Sequence, residues 1–220
     1  MSNSESLEFA RETNVSRETL DKLELFAGLL IQWNPRVNLV SKDSLKNLWR
    51  RHIADSAQLR EIIPAYDGAL VDVGSGAGFP GMVLAIMGLR NIYLIESNER
   101  KCVFLQEVAR KTGCSVTVHN TRLENEGVKS SPKLPKAEII TARAVTRLDK
   151  LLDIVYPLVY DRTCCIFHKG SRVDEELCSA QNNWQFSLEQ LPSKSDPSGA
   201  ILKLSNIRRR DKNGGIGVEK

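Results

Sequence analysis

The chain has no long hydrophobic run, no secretory leader pattern and no cysteine arrangement typical of a disulfide framework or a zinc site. No stretch approaches the roughly 20 apolar residues that a membrane span needs, and the N-terminus lacks a positive start followed by an apolar segment. The five cysteines are an odd number, form no C-x-x-C pair and have no histidine at ligand spacing. These absences predict a cytoplasmic protein with reduced cysteines, no metal and no membrane contact.

The sequence also lacks internal repeats, low-complexity tracts and a strong excess of one charge. Its 220 residues suit one domain with an extension, and its formal net charge is only +4. Basic residues nevertheless gather in two places, which are Lys42, Lys46, Arg50, Arg51 and Arg60, and then Arg208, Arg209, Arg210 and Lys212. Such clusters suit a phosphate backbone, although they are also common on solvated helix faces.

The most informative feature is the stretch Leu70–Gly81, LVDVGSGAGFPG, in which a buried strand ends in a carboxylate and runs into alternating glycines, Gly74, Gly76 and Gly78. Glycine allows positive φ and lets a ligand approach the main chain closely. The same stretch matches the dinucleotide pattern G-x-G-x-x-G. Asp72 would repel a pyrophosphate but favours the ammonium and sulfonium of S-adenosylmethionine. The loop therefore predicts S-adenosylmethionine, with a dinucleotide as the alternative.

The chain is predicted to divide into four parts: a flexible leader at 1–14, an N-terminal helical cap at 15–66, an α/β domain at 67–207 and a disordered basic tail at 208–220. In the cap, one helix is expected to start after Ser16 and to stop at Pro35. A second is expected to be capped by Asp43 and to end before Pro64. These helices precede the glycine loop.

Strands and helices alternate after residue 68. Strands are predicted at 69–73, 91–96, 115–119, 137–142 and 162–168, with helices at about 80–88, 98–112, 148–158 and 171–181. Trp184–Leu191 and Ala200–Ile207 are expected to form an antiparallel hairpin. The pattern indicates an α/β, Rossmann-like fold, with a mostly parallel seven-stranded sheet and an antiparallel C-terminal hairpin.

Candidate site residues follow the strand ends, where ligands bind in such sheets. Glu96 ends the second strand and could accept hydrogen bonds from a ribose diol, or simply favour the next helix N-terminus. Arg143 and Lys169 end the fourth and fifth strands and could donate to a substrate base or phosphate, or lie in solvent. His52, in the cap, could face the same cleft or be structural.

The fourth strand also indicates which chemistry is absent. Thr141–Ala144 is not the Asn/Asp-Pro-Pro-aromatic box that holds an exocyclic amine, and no Pro-Cys follows to attack a pyrimidine. An in-plane lone pair such as N7 of guanine needs neither a base nor a covalent step. Orientation of two ligands is then the main task of the protein.

The sequence resembles the bacterial small-subunit ribosomal RNA guanine-N7 methyltransferases, formerly called glucose-inhibited division protein B, from about residue 20 to 205. The matching marks are Trp33-Asn34, Asn38-Leu39, His52-x-x-Asp55-Ser56, the Asp72–Gly81 loop, Arg143-Ala144 and Lys169-Gly170. The chain departs from the family pattern at Ala142, at His168 and at Asn125, where serine, leucine and an acid are common. These departures affect the roles of neighbouring side chains rather than the class.

The resemblance implies a class I S-adenosylmethionine-dependent methyltransferase fold, and it also implies the roles of individual site residues. Gly74 and Phe79 would line the S-adenosylmethionine site, Leu123 and Glu124 would contact adenine, and Arg143 would lie beside the transferred methyl group. It also implies that the substrate is a guanine in the decoding-region loop of 16S ribosomal RNA, in the small ribosomal subunit, and a monomeric enzyme is expected. Two other readings remain: a dinucleotide-dependent oxidoreductase, and a ribosome-assembly protein that keeps the fold without activity.

Overall fold

The computed structural model describes residues 3–123 and 134–210. Its α-helices are α1 (Asn3–Thr13), α2 (Arg17–Val37), α3 (Lys42–Lys46), α4 (Asp55–Ala57), α5 (Leu59–Ile62), α6 (Gly81–Ile86), α7 (Glu99–Thr112), α8 (Leu148–Val155) and α9 (Val173–Gln181). A π-helical segment, Trp49–Ala54, precedes α4, and a 3-10 turn, Tyr156–Leu158, follows α8. No helix within the described ranges is long and apolar enough to cross a membrane.

Seven strands form one sheet in the order β3-β2-β1-β4-β5-β7-β6. They are β1 (Ala69–Val73), β2 (Ile92–Glu96), β3 (Val116–Asn120), β4 (Ala137–Arg143), β5 (Cys164–Lys169), β6 (Trp184–Pro192) and β7 (Ala200–Arg209). The first five strands are parallel, whereas β7 runs antiparallel to both β5 and β6. The predicted fold class, including the antiparallel C-terminal hairpin, is confirmed.

Two apolar cores cover the two faces of the sheet. Because side chains alternate along a strand, neighbouring residues of β1 enter different cores: Leu70 packs with the cap, α6 and α7, and Val71 packs with α8 and α9. All five residues of β1 are buried, as expected for a central parallel strand covered on both faces. The cap therefore shares its core with one face of the sheet.

Helix α2 continues past the expected stop at Pro35 and ends at Val37. Proline removes one hydrogen bond to the carbonyl four residues earlier. That residue is Ile31, which is exposed, so water can satisfy its carbonyl. Asn38 then adopts a left-handed conformation and ends the helix.

The next helix begins earlier than expected, because its N-cap is Ser41 and not Asp43. The Ser41 side chain accepts a hydrogen bond from the Ser44 amide at 3.1 Å. The predicted single helix is instead divided into α3, the π-helical segment, α4 and α5. This division brings His52 and Asp55, on the π-helical segment and α4, towards the sheet.

The prediction of a flexible leader is wrong for residues 3–13, which form α1. The local sequence shows little apolar periodicity, but Phe9 is buried and its ring lies 5.5 Å from that of Trp49. Ser6 Oγ also donates to Glu24 Oε1 at 2.6 Å. Tertiary packing therefore stabilises a helix that the sequence pattern alone does not indicate.

The start of the disordered tail was predicted too early in the chain, because residues 208–210 are ordered. Arg208 and Arg209 belong to β7, and the Arg210 amide donates to the Asn183 carbonyl at 2.9 Å. The Arg209 guanidinium lies 5.0 Å from the centroid of Trp184, which gives it a cation–π contact. Pairing with β6 thus orders these arginines, and residues 211–220 lie outside the described ranges.

Candidate active site

The candidate site lies where β1 and β4 run side by side at the centre of the sheet. The chain turns from β1 towards β2 and β3 on one side, and β4 and β5 lie on the other. In open α/β sheets, ligands bind beyond the carboxyl ends of the strands at such a switch point. The glycine loop follows β1 here, and Arg143 ends β4.

The three alternating glycines all have positive φ, but they differ in what surrounds them. A Cβ atom at Gly74 would lie 2.7 Å from Val145 Cγ2, and one at Gly78 would lie 2.8 Å from Met82 Cβ. Packing therefore requires glycine at both of these positions. At Gly76 the nearest atom is the Gly74 carbonyl oxygen at 3.7 Å, which leaves space for a ligand against the backbone.

Glu96 fixes the glycine loop from the end of β2. Its Oε2 accepts a hydrogen bond from the Gly76 amide at 2.9 Å, and its Oε1 accepts one from the Asn98 amide at 2.7 Å. Each carboxylate oxygen can accept more than one hydrogen bond. Glu96 therefore orders the start of α7 and also places carboxylate oxygens beside Gly76, and its contact with a ribose stays a prediction.

We expect Glu96→Gln to weaken S-adenosylhomocysteine binding by roughly 1–3 kcal/mol, the scale for hydrogen bonds to a charged group. A glutamine has only one oxygen, so its NH2 group would face either the Gly76 or the Asn98 amide. Titration calorimetry provides the measurement. Glu99→Gln is the control, because Glu99 lies in the first turn of α7. Normal affinity combined with lower thermal stability would limit Glu96 to helix ordering.

Asp72 lies beneath the loop rather than at its surface. Its side chain is fully buried, Oδ1 accepts from Thr141 Oγ1 at 2.7 Å, and Oδ2 accepts from the Gly81 amide at 3.3 Å. Burial raises its pKa to about 6. This carboxyl group occupies the start of α6, where a pyrophosphate would have to bind in a dinucleotide site.

Arg143 brings the cap and the sheet together. Its Nη1 lies 3.0 Å from Asp55 Oδ2, its Nη2 donates to His52 Nδ1, and its Cζ lies 5.7 Å from the centroid of Phe79. The His52 ring stacks on Phe79 with centroids 4.8 Å apart. Arg143 and His52, both predicted from the sequence, are therefore in direct contact.

His52 is held as a neutral ring. Burial, followed by the nearby Arg143 charge, lowers its pKa to about 3. Since Nδ1 accepts from Arg143, the ring proton lies on Nε2. Neither His52 Nε2 nor Arg143 Nη1 has an aligned hydrogen-bond partner within the described ranges, although both are buried. Buried polar atoms without any partner are uncommon, so His52 Nε2 is a candidate for a substrate contact, whereas Arg143 Nη1 keeps its ion pair with Asp55.

Phe79 is only 7% exposed, because Phe26 packs on it as well as His52. Its ring therefore joins the glycine loop to the cap, and its contact with the cofactor stays a prediction. Leu123 is partly buried against the core on the α8 and α9 side. Glu124, the other predicted adenine contact, lies outside the described residues.

Lys169 is placed differently from the expected substrate donor. Its Nζ lies 2.8 Å from Glu176 Oε2 and donates to the Thr146 carbonyl at 2.8 Å. Glu176 Oε2 also accepts from the Leu148 amide at 2.8 Å. Lys169 and Glu176 therefore hold the segment between Arg143 and α8. A substrate contact by Lys169 stays a prediction, and its ion pair favours a positioning role.

We expect Lys169→Ala to lower the free energy of unfolding by about 3–5 kcal/mol, because it would leave the largely buried Glu176 charge unpaired. Denaturant unfolding is the measurement. Lys194→Ala is the control, because Lys194 and Glu61 form an exposed ion pair whose loss costs about 1 kcal/mol or less. A variant with normal stability but lost methyl transfer would instead make Lys169 a substrate contact.

Sequence reasoning did not find the connection from Asp55 to the turn between β6 and β7. Ser193 Oγ and Ser195 Oγ both donate to Asp55 Oδ1, at 3.1 Å and 2.5 Å. No local pattern links residues that are 138 and 140 positions apart. In the sequence, Ser193 and Ser195 indicated only that their segment forms a loop.

A cavity lies elsewhere, between residues 63–68 and 88–91. Its volume is about 480 Å³, but it surrounds the segments that lead into β1 and β2. Cofactors bind at the opposite, carboxyl ends of parallel strands. The site at Gly76, Glu96 and Arg143, which lies at those carboxyl ends, is therefore the better candidate.

The sheet order, the glycine loop and the acid that ends β2 together define the class I methyltransferase fold. Two solved structures share this fold. M. jannaschii TYW2 in complex with AdoMet superimposes with a TM-score of 0.54 at 18% identity, covering 72% of this chain and 76% of that one. A ribosomal protein L11 methylase from Lactobacillus delbrueckii subsp. bulgaricus gives 0.53 at 16% identity, with 69% and 76% covered.

The family model for rRNA small subunit methyltransferase G, GidB, matches residues 19–200. Proteins named ribosomal RNA small subunit methyltransferase G are similar along nearly the whole chain. The protein of Rhodospirillum centenum is 45% identical over 92% of this chain and 91% of its own length, and that of Gluconobacter oxydans is 47% identical over 90% and 98%. The chain belongs to this family, as the sequence motifs predicted.

Proposed function

We propose that the protein transfers a methyl group from S-adenosylmethionine to N7 of a guanine in the decoding-region loop of 16S ribosomal RNA. The observation that carries the proposal is the pairing of an open glycine cradle with the His52–Arg143 contact at the same strand ends. Family membership supports the RNA substrate. We expect the enzyme to act as a monomer in the cytoplasm.

The residues around the glycine loop fit S-adenosylmethionine better than a dinucleotide. Asp72 occupies the start of α6, and Glu96 lies against Gly76, so two carboxyl groups flank the loop. Negative charge there disfavours a pyrophosphate and favours a ligand that carries an ammonium and a sulfonium. When bound, S-adenosylmethionine would supply an electrophilic methyl group. Gly76 would contact it through backbone, and Glu96 would accept from its ribose hydroxyls.

Guanine N7 is a target that this set of residues can serve. Its lone pair lies in the ring plane, so no base must remove a proton before methyl transfer. This agrees with the low pKa of His52, which makes the ring a weak proton acceptor. Arg143 could donate to O6 beside N7, as arginine commonly does in guanine recognition. Orientation of the guanine against the methyl group then supplies the rate enhancement.

The cysteines support the same choice. Cys164 and Cys165 lie in β5, where burial raises the pKa of both thiols, and burial also raises the pKa of Cys102. A thiol is a nucleophile mainly as the thiolate, so these positions do not favour covalent catalysis. Methylation of pyrimidine C5 through a cysteine adduct is therefore not supported by these three thiols.

A basic groove beside the site gives the RNA a place to bind. Arg50 and Arg51, both exposed, line it together with Asn47 and the Ser195–Pro197 part of the hairpin turn. Arginine side chains of this kind bind phosphates and orient a nucleic acid without reading its sequence. The target guanine must be unpaired, because the major-groove edge that carries N7 is inaccessible in A-form RNA.

The proposal is tested by incubating the protein with radiolabelled S-adenosylmethionine and either naked 16S ribosomal RNA or small ribosomal subunits. We expect label in the RNA, and binding of S-adenosylhomocysteine but not NAD in calorimetry. Binding of NAD would favour the oxidoreductase, and cofactor binding without transfer to either RNA substrate would favour the assembly protein.

A further inference from the structure

Asp55 lies between Arg143 and the hairpin turn that joins β6 to β7. Its side chain is 9% exposed, and its Oδ2 lies 3.0 Å from Arg143 Nη1. Its Oδ1 accepts hydrogen bonds from Ser195 Oγ at 2.5 Å, Ser193 Oγ at 3.1 Å and Gln58 Nε2 at 2.8 Å. The carboxylate thus faces the predicted catalytic arginine with one oxygen and the hairpin turn with the other.

Further bonds fix the backbone on which Asp55 stands. The Lys194 amide donates to Gln58 Oε1 at 2.9 Å, so the turn is bound to the cap at a second point. His168 Nε2, at the end of β5, donates to the Asp55 carbonyl oxygen at 2.9 Å. The cap, β5 and the hairpin therefore meet at Asp55, and a displacement of any of them would move its carboxylate.

The Arg143 side chain needs such a partner. It is 16% exposed, and a largely buried cation is costly unless it is paired and hydrogen-bonded. His52 contributes only a neutral acceptor, and Phe79 contributes the face of a ring. Asp55 supplies the opposite charge, and two serine hydroxyls and one amide hold that charge in a fixed direction.

We propose that Asp55 is a positioning residue for methyl transfer, which holds the Arg143 guanidinium in its reactive place and is itself aligned by Ser193 and Ser195 of the hairpin turn. The proposal rests on the proposed function, because its effect is measured on methylation of RNA. It makes the C-terminal hairpin, which lies outside the cofactor cradle, a part of the active site.

The test compares Asp55→Asn and Ser195→Ala in single-turnover methylation of RNA at saturating S-adenosylmethionine and RNA. Asparagine keeps the shape of the side chain but removes its charge. We expect the rate to fall by about 10- to 100-fold for Asp55→Asn, since small misplacements near a reacting centre have effects of that size. Ser195→Ala, which removes one hydrogen bond to the carboxylate, should lower it by about threefold to tenfold.

The control is Ser198→Ala. Ser198 is exposed in the same turn and bonds to Asp196 rather than to Asp55, so this variant should methylate like the wild type. S-adenosylhomocysteine affinity should be unchanged in every single variant. A merely structural Asp55 would lower cofactor and RNA affinity together with the rate, whereas a positioning role predicts a loss in kcat with little change in KM for the RNA.

A double-mutant cycle with Arg143→Ala separates the remaining outcomes. If Asp55 acts through Arg143, Asp55→Asn should cause no further loss in the Arg143→Ala background. An equal loss in both backgrounds, or a normal rate in Asp55→Asn, would overturn the proposal. If Asp55→Asn does not fold, the same cycle with Ser195→Ala decides. A wild-type protein that methylates no RNA would instead contradict the proposed function.

Discussion

Arg143→Ala is expected to lower the rate of RNA methylation by about 100-fold or more at saturating S-adenosylmethionine, because it removes the group that we propose orients the target base. The residue lies at the switch point and contacts His52, Asp55 and Phe79, so the alanine variant loses the connection between cap and sheet. Single-turnover kinetics with labelled cofactor measure the loss.

Arg147→Ala is the matched control for this variant. Arg147 lies four residues later, is 55% exposed and lies 3.8 Å from Asp149. Its replacement should leave the rate within about threefold of the wild type, as expected for an exposed ion pair. A near-normal rate for Arg143→Ala would show that another group holds the guanine, and His52 with its unpartnered Nε2 would then be the next candidate.

Gly76→Val should abolish cofactor binding, with affinity for S-adenosylhomocysteine reduced at least about 100-fold. The Gly76 φ is +56°, and a branched side chain would occupy the open space above the loop that is proposed for the ligand. Valine in this conformation also costs roughly 1–2 kcal/mol of stability. Titration calorimetry on the folded variant measures the effect on binding.

Gly113→Val separates backbone strain from loss of the ligand space. Gly113 ends α7, its φ is +69°, and nothing lies within 4 Å of a Cβ there. Both variants should lose similar stability, but only Gly76→Val should lose the cofactor. Equal and normal affinities in the two folded variants would place the cofactor away from the glycine loop.

The central sheet was predictable because its signals are local. Strands such as β1 and β2 are short apolar runs, and the helix after β2 begins at a recognisable cap residue, Asn98. Strand ends in a parallel sheet must meet at one edge, so the sequence also placed Glu96 and Arg143 on the same side. The glycine pattern then indicated where a ligand approaches the backbone.

The errors occurred where tertiary contacts determine the structure. Helix α1 forms because Phe9 reaches Trp49, and nothing in residues 3–13 alone indicates that contact. The pairing of Lys169 was also not predictable: the residue ends β5, as expected, its ammonium is paired with Glu176 from the next helix, and its contact with a substrate stays a prediction. Whether a charged side chain at a strand end faces a ligand or a counter-ion depends on side-chain geometry that spacing does not specify.

The contact between Asp55 and the hairpin turn could not be predicted for the same reason. Hydrogen bonds such as that from Ser195 to Asp55 join segments that are far apart in sequence, and serine is common in ordinary turns. The sequence therefore located the cofactor loop and the arginine, whereas only the structure revealed what holds that arginine in place.

The most direct measurement is identification of the modified nucleoside. Small subunits or 16S ribosomal RNA that lack the modification are incubated with the protein and labelled S-adenosylmethionine, and the RNA is digested and analysed by mass spectrometry. We expect label in 7-methylguanosine at a single position in the decoding-region loop, accumulating about 100-fold or more slowly with Arg143→Ala. Label on another atom or base, or no transfer by the wild-type protein, would contradict guanine-N7 methylation.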